Sequence, residues 1–474
     1  MPEVSIVAFI SAGAGLFVNA MYFAAGPGMG TGERTLTLLF GTILSMRALY
    51  EYVRLPKAAR PPLISTLTLT ITLFWFYIML HAAYIYIFQY NQIPVDSSEA
   101  VLGIYRPGIF RYFDYHMLWI GIFPILILMR DFSRFRRVAI LLGVVTTLSL
   151  VALLWEFFAP LPIFFKIIFQ FQAAGQTTEG YRVRDPAPLY MFMIVFFYAL
   201  YMIGFLKGWR NLVAMLFIIG ITFGILITKN RILWAGTLVM LPVVLIWKPP
   251  QVLLRQISVF LIMILFGLAS MFHPVVRESV TRIVQETIER WSRNYAYGGD
   301  PTLDPSYQGR VREREALEWR MQKASLFSKL FGTGLEAGYG RYVSLYEAGY
   351  YNPRFTRLYV EKSHVHFAWL GRLYHIGLIG TMLLIIVIIS FFTYSIKIFL
   401  SVKEPTMRGI VMGVVGATVG VLFYDSLHTL LDRSEALPVI LMWSLIILIP
   451  YWQRTGQLKG NNFQSEQGGQ VSPV

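Results

Sequence analysis

The sequence contains no cysteine. Disulfide frameworks, thiolate metal sites, iron–sulfur clusters and cysteine nucleophiles are excluded together. It is also poor in charge. Only 14% of its 474 residues are Asp, Glu, Lys or Arg, against about 25% in a soluble domain. Most of the chain therefore cannot face water, which excludes an ordinary soluble enzyme, a disordered protein and a coiled coil. Walker A, dinucleotide-binding glycine and HExxH patterns are absent as well. Ionisable residues near mid-membrane are scarce; Arg47, His81, Glu156 and Arg255 are the exceptions or lie near span ends. An ion-coupled transporter would place acids or paired charges inside its bundle, so this scarcity weighs against transport.

What is present is apolar and basic. Hydrophobic residues make up 56%, aromatic residues 16%, and the net charge is +15. In a membrane protein such an excess reflects the cytoplasmic positive bias and anionic head groups rather than nucleic acid. About twelve stretches are long enough to cross the ~30 Å hydrocarbon layer as helix. They lie near residues 4–25, 34–53, 63–88, 112–130, 136–158, 187–207, 210–228, 230–247, 252–272, 366–400, 407–425 and 436–452. The expected architecture is an all-α polytopic membrane protein in four parts. Residues 1–272 carry spans one to nine, 273–365 form a large, mainly helical outer domain, and 366–452 carry spans ten to twelve. Residues 453–474 form a tail rich in Gly, Gln, Asn and Ser, which is expected to be disordered.

Orientation follows from the basic connections. Arg54, Lys57 and Arg60, then Arg130, Arg134, Arg136 and Arg137, then Lys207, Arg210, Lys248, Lys403, Arg408 and Arg454 fall on one side if the N-terminus is cytoplasmic. The other side has more acids in its short loops, among them Asp96, Glu99, Asp425 and Asp432. An even number of spans places both termini in the cytoplasm. Residues 160–172 are apolar, aromatic and too short to cross, so they are expected to lie in the interface or re-enter. Residues 273–365 hold 14 basic and 11 acidic residues, and the stretches 274–291 and 308–329 carry mixed charge at helical spacing.

Several groups could do chemistry at the outer face. Arg231 opens a span after Lys229-Asn230. A guanidinium at a helix N-terminus makes an anion site, and a snorkelling anchor is the competing use. Arg310 and Arg314 are spaced i, i+4 and share a helix face; Glu313, Glu315 and Glu318 could instead pair with them in a solvated charged face. His364 and His366 stand in Ser363-His364-Val365-His366-Phe367 at the start of a span. A neutral imidazole in the first turn can act as a base. The two histidines are i, i+2 and point apart on a helix, which argues against a metal pair. Trp319 and Tyr339 belong to a crowd of outer-domain aromatics that could offer flat platforms to sugar rings, although packing and interfacial anchoring account for most such residues.

Three runs give these residues a family likeness. They are Lys229-Asn230-Arg231; Gly309–Arg314 followed by Trp319 and Leu330-Phe331-Gly332-Thr333-Gly334; and His366 leading to Gly377-Leu378-Ile379-Gly380. In this order, over residues 230–380, the chain resembles the bacterial O-antigen ligase and O-antigen/exopolysaccharide polymerase superfamily. It departs at Phe367, where relatives often have Asn. Gly-Arg selects Arg310 as the second family arginine, whereas spacing back from Gly332 selects Arg314.

The resemblance implies a membrane glycosyltransferase of the C-type fold in the bacterial inner membrane, with its active site facing the periplasm. It implies an undecaprenyl-diphosphate-linked oligosaccharide as donor and a glycan or lipid-linked acceptor. No metal or other cofactor is expected. Arg231 with Arg310 or Arg314 would bind the leaving diphosphate, and His366 would activate the acceptor hydroxyl. Arg182, Arg184, His364, Trp319 and Tyr339 are candidate substrate contacts. Polymerase and ligase differ only in acceptor, a second lipid-linked repeat unit or lipid A core. The long aromatic outer domain favours the polymerase, for which a chain-length regulator would be a further partner. A flippase for the same lipids, or a receptor whose outer basic residues bind only head groups, are the competing classes.

Overall fold

The computed structural model describes residues 2–13, 32–89, 121–158, 171–172, 182–183, 187–227, 231–254, 305–335, 341–344, 357–360, 367–428 and 437–458, with scattered positions from 257 to 285. Three helices are long and apolar enough to cross a membrane, Thr66–Phe88, Gly377–Ser401 and Pro405–Phe423, and shorter apolar helices accompany them. The chain is a helical, membrane-embedded protein. The first half holds α1 (Pro2–Gly13), α2 (Gly32–Arg54), α3 (Thr66–Tyr84, extended by a π turn over Ile85–Gln89), α4 (Ile122–Leu128) and α5 (Phe132–Phe158). The strand pair β1 (Phe171–Gln172) and β2 (Arg182–Val183) comes next, then α6 (Ala187–Met202), α7 (Trp209–Ile227) and α8 (Arg231–Ile246). Positions 257, 261, 265 and 268 are helical, and their exposed leucines and isoleucine recur every three or four residues along one face.

The outer segment supplies α9 (Pro305–Lys323), α10 (Leu326–Phe331) and the strands β3 (Arg341–Ser344) and β4 (Arg357–Val360). The chain then runs through α11 (Ala368–His375), α12 (Gly377–Ser401), α13 (Pro405–His428) and α14 (Leu437–Arg454). One feature amends the sequence expectation. The stretch 308–329 is broken at Ser325, whose hydroxyl caps α10 by accepting from the Ser328 N–H at 3.1 Å. Beside its helices the segment holds one short strand pair, β3 and β4, antiparallel with Tyr342 opposite Tyr359, which a mainly helical expectation accommodates.

The core is built from close helix pairs. On α13, Gly409, Gly413, Gly416 and Gly420 form one stripe. A Cβ on Gly413 would fall 2.7 Å from the Ile194 carbonyl of α6, and one on Gly416 would overlap the Phe197 ring. The small residues thus let α6 and α13 approach at backbone distance, the usual solution where lipid supplies no hydrophobic drive. On α14, Trp443 stacks on Phe391 of α12 at 4.3 Å and donates its indole N–H to Thr418 of α13. This satisfies the polar edge of a fully buried ring.

The charges expected on the cytoplasmic side gather at one end of the bundle. Glu51 accepts from Arg130 at 2.8 Å, Arg134 at 3.1 Å and Arg47 at 3.1 Å. Glu3 takes Arg137 at 2.8 Å. Nearby, Trp452 donates to the Arg130 carbonyl. Glu51 and Glu3 thus hold guanidinium groups from residues 130–137, distant in sequence, so these pairs fix neighbouring ends of α1, α2 and α5 relative to one another.

Candidate functional site

The opposite end of the bundle joins the outer segment to the spans through two glycines. Gly332 has φ +90° and Gly377 has φ +71°, a region that L side chains rarely occupy. A Cβ on Gly377 would overlap the Gly332 nitrogen and the Leu330 carbonyl, and a Cβ on Gly332 would overlap the His375 carbonyl. Two backbones therefore touch where neither residue has a side chain. The Thr333 N–H and hydroxyl both reach the Tyr374 carbonyl, at 2.9 and 2.8 Å, and the Gly334 N–H reaches the His375 carbonyl at 3.0 Å. These bonds satisfy carbonyls that the end of α11 would otherwise leave without helical partners.

Tyr77 of α3 closes this joint. Its hydroxyl donates to the Ile376 carbonyl at 2.6 Å and also lies 3.0 Å from the Phe331 carbonyl. Gly380 makes room for its ring, since a Cβ there would lie 2.6 Å from the Tyr77 Cε1. The two glycine motifs of the sequence, Leu330–Gly334 and Gly377–Gly380, are thus halves of one tertiary contact. His81 stacks on Tyr77 at 5.9 Å one turn further along α3 and is buried. Ile85, another turn on, lies against Gly334.

The joint breaks the expected span 366–400. The helix ends at His375 and restarts at Gly377, because the positive φ of Gly377 turns the chain. The short helix α11 then makes two further connections. Tyr374 packs with the fully buried Leu317 of α9, and Ala316, Met321, Phe367 and Leu370 surround them. On α11's other side, Arg372 grips Asp425 of α13 through two parallel bonds of 2.6 Å each, with the two side chains only 1% and 0% exposed. The Arg372 guanidinium also lies 5.0 Å from the Trp369 ring centroid.

Helix register brings Arg231 into the same neighbourhood. Gly236 of α8 faces Gly420 of α13, a Cβ there falling 3.0 Å from the Gly420 Cα. The helices run antiparallel, because Trp247 at the far end of α8 meets Phe399, which Arg408 near the start of α13 also covers. Five residues of rise, about 7.5 Å, separate Gly236 from Arg231 and Gly420 from Asp425. The backbone of Arg231, the first residue of α8, is therefore level with Asp425.

The structure thus collects one set of candidate elements and leaves others apart. Arg310 lies in α9. Arg314, also in α9, is exposed and pairs with Glu318 at 2.6 Å, as the charged-face alternative anticipated. Trp319 is half exposed, with the Lys323 ammonium 4.1 Å from its ring centroid. Arg182 lies in β2, opposite Gln172. His366, His364, Arg184 and Tyr339 lie outside the described residues; His366 directly precedes in sequence Phe367, the residue before α11. Sequence reasoning missed the Arg372–Asp425 pair. Its signal was available: one arginine inside a stretch read as a span, and one acid at the outer end of another. A scan of protein-family models finds no match for this chain, and a search of curated proteins finds no matching sequence.

Proposed function

We propose that the chain is a membrane glycosyltransferase that transfers an undecaprenyl-diphosphate-linked oligosaccharide to an acceptor hydroxyl at the periplasmic face, acting as an O-antigen or exopolysaccharide polymerase. The reading starts from the three motif runs that resemble that superfamily. The observation that carries it is the convergence of their elements. Helix α9, with Arg310 and Arg314, packs on α11, which opens directly behind His366, and α11 is tied through Asp425 to the level of Arg231. Elements far apart in sequence, α8, α9, α11 and α13, thus meet at one end of the bundle.

In this reading twelve spans sit in the inner membrane with both termini cytoplasmic. The bond between the anomeric carbon and the diphosphate oxygen breaks as the acceptor oxygen attacks from the opposite face. The acceptor proton passes to the His366 imidazole. The negative charge that develops on the diphosphate is met by Arg231 and by Arg310 or Arg314, through charge-assisted bonds. Each such contribution is worth about 10²–10⁴-fold in rate. Arg314 is paired with Glu318 at the surface, and both arginines are carried as candidates for this role.

The test uses purified protein in lipid nanodiscs, given an undecaprenyl-diphosphate oligosaccharide. Longer lipid-linked glycans should form. H366A and R231A should each reduce turnover by at least about 10²-fold while keeping the wild-type thermal unfolding midpoint. Turnover near wild type in a variant would remove that residue from the mechanism. Transport of the lipid without extension would favour the flippase class instead.

A further inference from the structure

Helix α10 carries apolar residues on the wrong side for a soluble domain. Leu326 is 73% exposed and Phe327 is 45% exposed. Phe327 lies 5.1 Å from Tyr84 at the end of α3 and 4.5 Å from Phe331, which belongs to the glycine joint. Both α10 residues therefore stand beside the end of a span.

That span has an apolar stripe of its own. Leu69, Leu73, Phe76, Leu80 and Ile87 of α3 and its π turn are all at least half exposed. Their spacing of three, four and seven residues places them on one helix face. The buried residues Ile71, Phe74, Ile78 and His81 occupy the other face. Phe88 is 67% exposed at the top of the stripe, and the Tyr84 ring lies tilted between Phe88 and Phe327. The exposed apolar surface thus runs without interruption from the span onto α10.

The polar fringe lies next to it. Lys329 stands in the last turn of α10, and its ammonium reaches back to the Gln322 carbonyl at 3.2 Å. Lys323 and Arg320 flank the Trp319 ring at 4.1 and 5.7 Å. An apolar face bordered by tryptophan and lysine is the pattern of a helix lying at the hydrocarbon–headgroup boundary.

We infer that α10 is immersed in the lipid leaflet at the end of α3, with Leu326 and Phe327 among the acyl chains and Lys323, Lys329 and Trp319 at the level of the head-group phosphates. The occupant of this surface is the bilayer, because the surface continues the lipid-facing stripe of a span. Trp319 then serves as an interfacial anchor rather than a platform for sugar. The inference stands independently of the glycosyl-transfer reading.

Because the chain has no cysteine, single labels can be placed without background. The full chain in phosphatidylcholine/phosphatidylglycerol nanodiscs would carry an environment-sensitive nitrobenzoxadiazole label at L326C. L73C on the stripe of α3 and K207C in an exposed connection serve as the lipid and water references. L326C should resemble L73C, with blue-shifted emission that lipid-borne nitroxide quenches and aqueous iodide barely reaches. Iodide quenching equal to that of K207C would show that α10 stands in water. Blue-shifted emission that nitroxide lipids do not quench would show that protein, such as a second copy of the chain, covers it. Either result overturns the assignment.

Discussion

At the residue scale, a buried ion pair and a buried lysine make opposite demands. Arg372 and Asp425 are removed from water together, and their desolvation is offset by two parallel charge-assisted bonds. Taking away one partner leaves the other charge buried and uncompensated, a loss of about 3–5 kcal/mol. D425A should therefore lower the thermal unfolding midpoint sharply, whereas the double variant R372M/D425L should recover much of it. A midpoint for D425A equal to wild type would mean the pair does not hold α11 to α13. Lys248 is different, because it is a buried cation held by backbone carbonyls. Its ammonium donates to the Leu200 and Ile203 carbonyls at 2.7 and 3.1 Å, and burial pushes its pKa down to about 7 from an ordinary 10.5. Between these values the unfolded chain binds a proton that the folded chain does not, so stability rises with pH across that window. The gain is complete near pH 10.5, and it is lost progressively as the pH falls from there to about 7. K248M should flatten the stability profile between pH 7 and 10 relative to wild type, and an unchanged slope would exclude Lys248 as its source.

At the scale of elements, the break between α11 and α12 is the feature on which the outer segment depends. A continuous helix through Gly377 would move α11 away from both α9 and α13, and would remove the carbonyls that Thr333 and Gly334 bond. G377A forces an L residue into positive φ and drives its Cβ into the backbone of residues 330–332. The cost is on the order of 3 kcal/mol. Limited proteolysis should then cut the segment 305–335 faster than in wild type, while the far end of the bundle, held by Glu51, stays protected. A digestion pattern identical to wild type would show that the joint is not what secures the segment. The strand pair β3–β4 is an element that the sequence pattern does not reveal. Its strands are only four residues each, and tyrosines with one β-branched residue in so short a run carry little periodicity.

At the scale of the whole molecule, the protein has two ends of different character. One is stitched by exposed and half-buried ion pairs around Glu3 and Glu51. The other is fastened by backbone contact between glycines, by a tyrosine hydroxyl and by one dry ion pair. The second arrangement sets position with little latitude, as a reacting centre requires. In the proposed transfer reaction, α10 resting in the lipid leaflet holds α9 where a lipid-linked diphosphate leaves the hydrocarbon. The nanodisc turnover assay and the fluorescence depth measurement address these two statements separately.

The sequence by itself determined that the chain is helical and membrane-embedded, because apolar runs of this length and a charged fraction this low have no other stable arrangement. It also determined where most described helices begin and end. The expected spans 187–207, 210–228, 230–247 and 436–452 correspond to α6, α7, α8 and α14 within a few residues. Tertiary structure alone decided that Gly332 and Gly377 meet and that Tyr77 seals them. It likewise decided that Arg372 finds Asp425 across 53 positions. Hydrophobic periodicity reports which face of one helix is apolar. It carries no record of which distant backbone will come close enough to forbid a side chain, and that exclusion is what shapes this end of the molecule.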